Sequence, residues 1–339
     1  MPGLTEPIQV GKREDFADVI AMVDYKDTPF SSMVPKGTEP ANTLYDWQMD
    51  AYLAPALGGI VDGVDVQTAD YLNPAVQRAK AHGRIQKHRQ AFMVSDLSQN
   101  VSDVAGIGKR GELQRAIKKT IVQVKRNMEA TYCSDQDSQA DNGTVPYLTR
   151  GMGAWINAGE VTITDTATAC PPAFVTPAAS VCVKTTATTT ETDVNNVMQS
   201  VYQQTGQQKD FDLILGTALK VAFSGFAMYV PSSVTTVPLR RFNQDATAKQ
   251  IINTVDFWQG DFGSVKLILS LFLAATGIAN VVNGRGYMID WDQIELRYNR
   301  MPGYQENPNL GGGPRGYIDA VAGLVIYNPL GLGKFAPTA

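Results

Sequence analysis

One stretch of the sequence constrains the fold more than any other: residues 111–133, where apolar side chains recur at helical spacing. Lysines and arginines lie between these positions and off the face that they form. The pattern predicts one unbroken amphipathic helix, which at ~1.5 Å per residue spans on the order of 33 Å. Its apolar stripe should pack on a central sheet. The residues of the stripe are Leu113, Ala116, Ile117, Ile121, Val124, Met128 and Tyr132.

The remaining predicted elements indicate an α+β fold. The order is one long helix, then mixed helices and strands, then antiparallel strands, which is not a regular α/β repeat. Further helices are predicted at residues 14–24, from Val194 to Tyr202 and from Thr217 to about Met228. Strands are predicted at residues 44–50, 210–216, 254–257, 263–273, 287–297 and 317–327.

Two segments do not follow this pattern. Residues 54–75 are polar, rich in glycine and without periodicity, and two strand-like stretches follow around His82 and Gly83. Residues 54–95 therefore predict a projecting two-stranded excursion, which should lie on other protein because a lone hairpin is marginal in water. Residues 158–192 are dominated by threonine and alanine and contain three prolines. They predict an inserted β element or a peripheral surface flap, dispensable for the core fold.

The net charge of −4 conceals two blocks of opposite sign. Residues 1–74 hold 4 lysines and arginines against 12 acidic residues, whereas residues 75–130 hold 12 against 4. Such blocks indicate either mutual pairing or two different partners. Charged residues make up only 18% of the chain, below the roughly 25% of soluble domains. A surface short of charge favours coverage by other protein.

Signatures of catalysis, cofactors and metals are missing. The nearest approach to a phosphate-binding loop, residues 106–110, lacks the upstream glycine and has Arg110 where serine or threonine would bind magnesium. His82 and His88 are interpreted as part of an exposed polar strand. Cys133, Cys170 and Cys182 are odd in number and favour free thiols. No apolar run reaches the ~18 residues of a membrane span. We therefore predict neither an enzyme nor a membrane protein.

Several local motifs, in this order, resemble the major capsid proteins of tailed bacteriophages with the Hong Kong 97-type (HK97-like) fold. None is specific alone, but together they extend over nearly the whole chain. They are Asp27-Thr-Pro-Phe-Ser-Ser-Met, Tyr45-Asp-Trp-Gln-Met-Asp, Phe92-Met-Val-Ser, Gly111-Glu-Leu-Gln-Arg, Val124-Lys-Arg-Asn-Met-Glu, Arg150-Gly-Met-Gly-Ala-Trp-Ile, Asp261-Phe-Gly-Ser-Val-Lys, Met288-Ile-Asp-Trp-Asp and Gly323-Leu-Val-Ile-Tyr-Asn-Pro.

The resemblance implies a division of the chain into the parts of that fold. These are an N-terminal arm (1–53), an extended E-loop (54–95), a peripheral domain (96–157) with a spine helix (111–133), the inserted threonine- and alanine-rich element (158–192), a mainly axial domain (193–285), and return strands to the peripheral domain with the C-terminus (286–339).

The resemblance also implies a function: self-assembly into hexamers and pentamers of an icosahedral phage head that encloses double-stranded DNA. The expected partners are further copies of the chain, portal, scaffold and decoration proteins, and packaged DNA contacted non-specifically. The expected location is the virion, after assembly in the bacterial cytoplasm. Two alternatives stay open: an encapsulin-type cellular cage, and a DNA-binding protein that uses basic residues 75–130.

The two charge blocks lead to a hypothesis about contacts between subunits. Acidic residues of one subunit would face the basic stretch of a neighbour, because the basic stretch lacks the aromatic residues that accompany nucleic-acid binding. Lys80 and Lys87 are also the lysines placed for the covalent cross-link of some relatives, but ordinary solvated lysines are favoured. The candidate contact residues are Asp46, Asp50, Asp62, Asp65, Arg78, Lys80, Arg84, Lys87 and Arg89.

Overall fold

The fold was analysed in a computed structural model of the chain. The structure describes residues 28–55, 57–73, 77–101, 111–185, 188–226, 228–229, 239–240, 255–273 and 285–336. The helix predicted at residues 14–24 lies outside these ranges.

Helices and strands alternate irregularly along the chain, as expected of an α+β protein. The helices are α1 (Pro29–Met33), α2 (Asp96–Val101), α3 (Glu112–Tyr132), α4 (Met152–Trp155), α5 (Glu191–Thr205) and α6 (Thr217–Gly225). The strands are β1 (Leu44–Met49), β2 (Ala79–Arg84), β3 (Gln86–Met93), β4 (Val181–Cys182), β5 (Lys209–Leu215), β6 (Met228–Tyr229), β7 (Leu239–Arg240), β8 (Phe257–Gly260), β9 (Gly263–Leu269), β10 (Gly286–Ile289), β11 (Ile294–Asn307), β12 (Arg315–Ile326) and β13 (Gly333–Phe335).

Within the described ranges the strands form two larger sheets and two strand pairs. The larger sheet is mixed, in the order β4-β13-β10-β5-β9-β8, and β5 runs parallel to β9. The second sheet is antiparallel, in the order β11-β12-β3. β1 pairs with β2, and β6 pairs with β7. The predicted strand at 287–297 is in fact two, since a short 3-10 turn at Trp291–Gln293 separates β10 from β11.

The C-terminal half of strand β5 is buried on both faces and joins two hydrophobic cores. Because successive side chains of a strand point to opposite faces, Leu213 and Leu215 enter one core while Ile214 enters the other. β10 behaves likewise, with Met288 in the first core and Tyr287 in the second. The first core is covered by α5 and α6, and the second contains the buried face of α3.

Helix α3 confirms the prediction for residues 111–133, since it runs unbroken over Glu112–Tyr132. It packs on the antiparallel sheet through contacts with β3, β11 and β12. Its stripe is buried unevenly along its length. Val124, Met128 and Tyr132 are fully buried, whereas Ile117 and Ile121 are only partly covered.

The two-stranded excursion predicted at residues 54–95 is wrong in its pairing. β2 and β3 do not pair with each other: β2 pairs with β1, and β3 with β12. Gly83, which suggested a turn, lies inside β2 opposite Tyr45. A Cβ atom at Gly83 would come within 2.6 Å of the Tyr45 ring, so this glycine makes room for an aromatic side chain. The projecting part is thus the loop between β1 and β2.

Residues 158–192 are not the peripheral flap that their composition suggested. Phe174 is buried in the same core as α3. Val181 and Cys182 form an edge strand of the six-stranded sheet, paired in parallel with β13. The Ser180 hydroxyl lies 2.8 Å from that of Ser200 on α5. Deleting the segment would therefore open the core, which contradicts its expected dispensability.

One further local expectation is corrected. His88 is not exposed: it is buried on β3 with its ring edge-on to Tyr132 at a centroid distance of 6.4 Å. Cys133, Cys170 and Cys182 are free thiols, as predicted.

The uneven burial of α3 predicts which substitution in the stripe is most damaging. Val124→Asp places a carboxylate in a site with no exposed surface and should lower the free energy of unfolding by about 4 kcal/mol. Ile121→Asp, at a partly covered site, should have a clearly smaller effect, and Lys125→Asp on the exposed face almost none. Urea denaturation of the three variants measures this order. Equal effects at positions 121 and 124 would contradict the packing described for α3.

The burial of His88 predicts a pH dependence of stability. Burial lowers the pKa of His88 to about 4, against 6.5 when exposed. The folded chain then binds fewer protons than the unfolded chain between these values, so stability should fall as the pH drops from 6.5 to 4. The pKa difference corresponds to roughly 3 kcal/mol. His88→Phe should remove this part of the fall in urea denaturation midpoints. Parallel pH profiles for the two proteins would contradict the prediction.

Candidate intersubunit surface

The loop between β1 and β2 projects from the body of the subunit. It begins at Asp50 and ends at Arg78, and its described residues contain little regular structure besides a 3-10 turn at Thr68–Asp70. That turn is closed locally, since the backbone N–H of Gln67 donates to the carboxylate of Asp70. The described residues of the loop from 51 to 73 are all exposed. The described residues of the loop are therefore little buried by the rest of their own subunit.

The projecting loop carries an unusual density of exposed apolar side chains. Tyr52 and Leu57 are as exposed as in an extended peptide, and Ile60 is 80% exposed. Isolated exposed apolar residues are normal, but a contiguous set marks a contact surface. The exposed set consists of Tyr52, Leu53, Leu57, Ile60, Val61, Val64, Val66, Tyr71 and Leu72.

Two of the candidate ion pairs close the base of this loop within one chain. Arg78 Nε lies 3.2 Å from Asp50 Oδ2, and Lys80 Nζ contacts Asp46 Oδ2. Both pairs bridge β1 and the start of β2, and all four side chains are about half exposed. The hydrogen bond from Lys80 is the main cause that lowers the pKa of Asp46. These residues hold the two limbs of the loop together, a different pairing from the contact with a neighbour that the sequence suggested.

Arg84 belongs to a more deeply buried network at the other end of β2. Its Nε donates to Asp165 Oδ2 at 2.8 Å. Next to it, Arg150 is almost completely buried and donates to Asp137 at 2.7 Å. Burial alone would raise the pKa of Asp165, but the hydrogen bonds from Arg84 and Ser138 bring it below its ordinary value. The network holds the end of β2 against the rest of the subunit. At this point the chain passes from the β1–β2 pair to β3 of the antiparallel sheet.

Lys87 and Arg89 on β3 both approach Asp319 on β12. The Asp319 carboxylate is fully buried and lies 3.5 Å from Lys87 Nζ and 3.7 Å from the guanidinium of Arg89. Arg300 on β11 donates to it at 3.0 Å. Arg89 also stacks over the ring of Tyr317 at 4.5 Å. Three cations from the two strands that flank β12 thus surround one carboxylate, which explains why so many basic residues lie on this sheet.

Asp62 and Asp65 are the two candidates that lie on the projecting loop itself. Both are exposed, and no ion pair joins either of them to another residue in the described part of the chain. Among the candidate residues, intrachain pairing joins the two charge blocks only through Asp46 and Asp50, because the other basic candidates pair with Asp165 and Asp319 outside the acidic block. These pairs within one chain leave contacts between subunits untested. Such contacts remain a proposal, and Asp62 and Asp65 are the main candidates for them.

A metal site requires a group of ligating side chains, and a membrane span requires a long apolar helix. No group of three or more histidine, cysteine, aspartate or glutamate side chains there could hold a metal ion. None of the helices in the described ranges is both long and apolar enough to cross a membrane.

Reasoning from the sequence found the charged candidates but missed the apolar ones. The signal was present: apolar residues recur between 52 and 72 without the period of a helix or a strand. An apolar stretch that cannot form an amphipathic element of its own subunit should be read as a surface for another protein.

Comparison with known proteins identifies a family, and solved structures of similar fold, that match nearly the whole chain. Residues 4–339 match the family described as SU10 major capsid protein. The chain is similar to the capsid of an empty GTA particle, with TM-score 0.58, 9% identity, and coverage of 99% of this chain and 100% of that one. It is also similar to a chain of Gordonia phage Cozz, with TM-score 0.54, 14% identity and 99% coverage of both chains. For the cyanophage Pam1 capsid the TM-score is 0.55, at 9% identity and coverage of 98% and 97%. None of the curated proteins compared with the chain matches it.

The burial of the ion pairs predicts which of them stabilise the subunit. Arg84→Ala removes the cation from a carboxylate whose side chain is only 14% exposed and should lower the free energy of unfolding by about 2 kcal/mol. Lys80→Ala removes a half-exposed pair and should change it by an amount near the error of measurement. Chemical denaturation of both variants tests this, and the double variant Arg84→Ala with Asp165→Asn should recover part of the loss. Equal effects of the two single substitutions would contradict the assignment.

Proposed function

Because this chain belongs to the SU10 major capsid protein family and is a major capsid protein of phage heads, we propose that its copies assemble into hexamers and pentamers of an icosahedral shell around double-stranded DNA. The observation that carries this proposal is the projecting loop with its exposed apolar residues. Such a surface is unfavourable on an isolated subunit and becomes favourable when a second copy covers it.

We propose that the parts of the subunit correspond to those of the HK97-like fold. Helix α3 is the spine helix, the antiparallel sheet of β3, β11 and β12 belongs to the peripheral domain, and the six-stranded sheet belongs largely to the axial domain. The loop between β1 and β2 is the E-loop. It ends before β2, earlier than the limit at residue 95 that the sequence suggested, because β2 pairs with β1 and β3 pairs with β12. Residues 28–43 form the described part of the N-terminal arm.

The proposed contact places this loop against a neighbouring subunit. Its apolar residues supply the attraction, and burying them at ~25 cal/mol per Å² would make each contact favourable. Asp62 and Asp65 would orient the loop toward basic residues of the neighbour, since electrostatic complementarity sets the register of an interface more than its strength. Repetition of one contact around a closed ring or shell then supplies the stability of the whole.

Further partners follow from this role. The shell would require a portal and, depending on the phage, scaffold and decoration proteins, and its inner surface would contact DNA through non-specific charge interactions. The protein would act in the virion, after assembly in the cytoplasm of the host bacterium, and without catalytic activity. The match to phage capsid proteins favours this over a cellular cage or a separate DNA-binding protein.

Electron microscopy of the expressed protein tests the proposed function. The wild-type chain should form closed shells, whereas Leu57→Ser, Ile60→Ser, Val61→Ser and Tyr71→Ser together should give folded subunits and at least tenfold fewer shells. The exposed Val221 on α6 offers a matched control, because Val221→Ser lies outside the loop. In a second arm, Asp62→Lys with Asp65→Lys should also reduce the shell yield. Normal assembly of the fourfold variant would contradict the assignment of the loop.

A further inference from the structure

A buried carboxylate on the long helix faces the N-terminal part of the described chain. Glu129, one turn before the end of α3, has no exposed surface. Its Oε1 accepts a hydrogen bond from the backbone N–H of Phe30 at 2.8 Å, and its Oε2 accepts one from the N–H of Ser31 at 2.7 Å. The Ser31 hydroxyl also contacts Oε2. One side chain therefore binds two consecutive residues that lie almost a hundred positions earlier in the sequence.

The geometry of α1 explains why its backbone needs this partner. The first turn of a helix has N–H groups without intrahelical acceptors, and they must be satisfied from outside. Pro29 has no N–H, so the unsatisfied donors in this turn are those of Phe30 and Ser31. The side chain of Thr28 at the N-cap position makes no capping hydrogen bond. Glu129 supplies from another helix the acceptors that the local sequence lacks.

Glu129 is buried without a compensating cation. Among the described residues no ion pair joins it to a cation, and the titratable groups around it are Tyr132, Cys133 and Tyr298. Burial raises its pKa, and the hydrogen bonds from Ser31 and Phe30 oppose that rise. A buried carboxylate is costly, but an apolar side chain here would leave the N–H groups of Phe30 and Ser31 without acceptors. The carboxylate is therefore explained by the segment that it positions.

The segment that Glu129 holds is fixed at three successive points. Phe30 is fully buried between Tyr132 and Trp291, with ring centroids at 6.2 and 6.1 Å. Further along, Leu296 on β11 donates to the carbonyl of Pro35 and accepts from the N–H of Gly37, both at 2.9 Å. Residues 28–37 thus cross from α3 to the edge of the antiparallel sheet. The course of this segment over the subunit is therefore set by its contacts with α3 and β11.

We propose that Glu129 is a positioning residue that latches residues 28–37 across α3 and so fixes the course of the described part of the proposed N-terminal arm, and that shell assembly depends on this latch. The assembly part rests on the proposed function. The latch is selective for glutamate. Glutamine presents an amide N–H₂ where the second acceptor is needed, and aspartate is shorter by one methylene group. Neither substitute can accept from both Phe30 and Ser31 at these distances.

Hydrogen exchange in the full-length subunit, before assembly, tests the latch directly. Glu129→Gln should raise amide exchange at least tenfold in residues 28–37 while β12 stays protected. Val124→Ala is the matched control, because it removes buried contacts from the same helix and leaves both hydrogen bonds of Glu129 intact, and it should raise exchange throughout the core. Ser31→Ala removes one donor and should give a smaller, local rise that is not additive with Glu129→Gln. Unchanged protection of 28–37 in Glu129→Gln, or a uniform rise, would overturn the proposal.

Shell yield by electron microscopy tests the consequence of the latch. Glu129→Gln should reduce shells several-fold more than Val124→Ala when the two are compared at a temperature where both are fully folded. Equal yields in the two variants would overturn the link between the latch and assembly. An absence of shells from the wild-type chain would instead overturn the proposed function, and the exchange measurement would still decide whether Glu129 holds residues 28–37.

Discussion

The subunit depends on a strand whose C-terminal half is buried on both faces. Alternate residues of β5 enter separate cores, so α5 and α6 on one side and the core of α3 on the other stabilise the same backbone. β10, its neighbour, repeats the arrangement. Because the two cores share these strands, the antiparallel sheet, α3 and the base of the projecting loop are attached to one body. A loop that emerges from this body has a defined starting point.

Two parts of the subunit reverse the usual distribution of polar and apolar side chains. On the projecting loop, side chains such as Leu57 and Ile60 are exposed to solvent. At α3, Glu129 is buried completely. Each arrangement is unfavourable for an isolated subunit considered alone. Both are consistent with the proposed role in a shell, in which the loop would contact a neighbouring subunit and Glu129 would hold residues 28–37 in place.

Local pattern and long-range packing contributed differently to what could be predicted. Strand β1 and helices α3 and α5 followed from periodicity, since each buries one clear face. Gly83 misled because a glycine in a strand and a glycine in a turn look alike until the facing residue, Tyr45, is known. The segment 158–192 misled for a related reason. Its threonines and alanines give no periodic signal, yet Phe174 within it fills the core.

The sequence by itself determined the α+β class, the long helix, the opposite charge blocks and the resemblance to phage capsid proteins. These properties depend on the order of residues along the chain and on local periodicity. Only the tertiary structure decided that Arg84 pairs with Asp165, that Lys87 and Arg89 share Asp319, and that Glu129 holds α1. Charge counts cannot assign such partners, because a hydrogen bond requires two groups within about 3 Å and an ion pair requires them within about 4 Å. Residues so distant in sequence come that close only after the chain has folded.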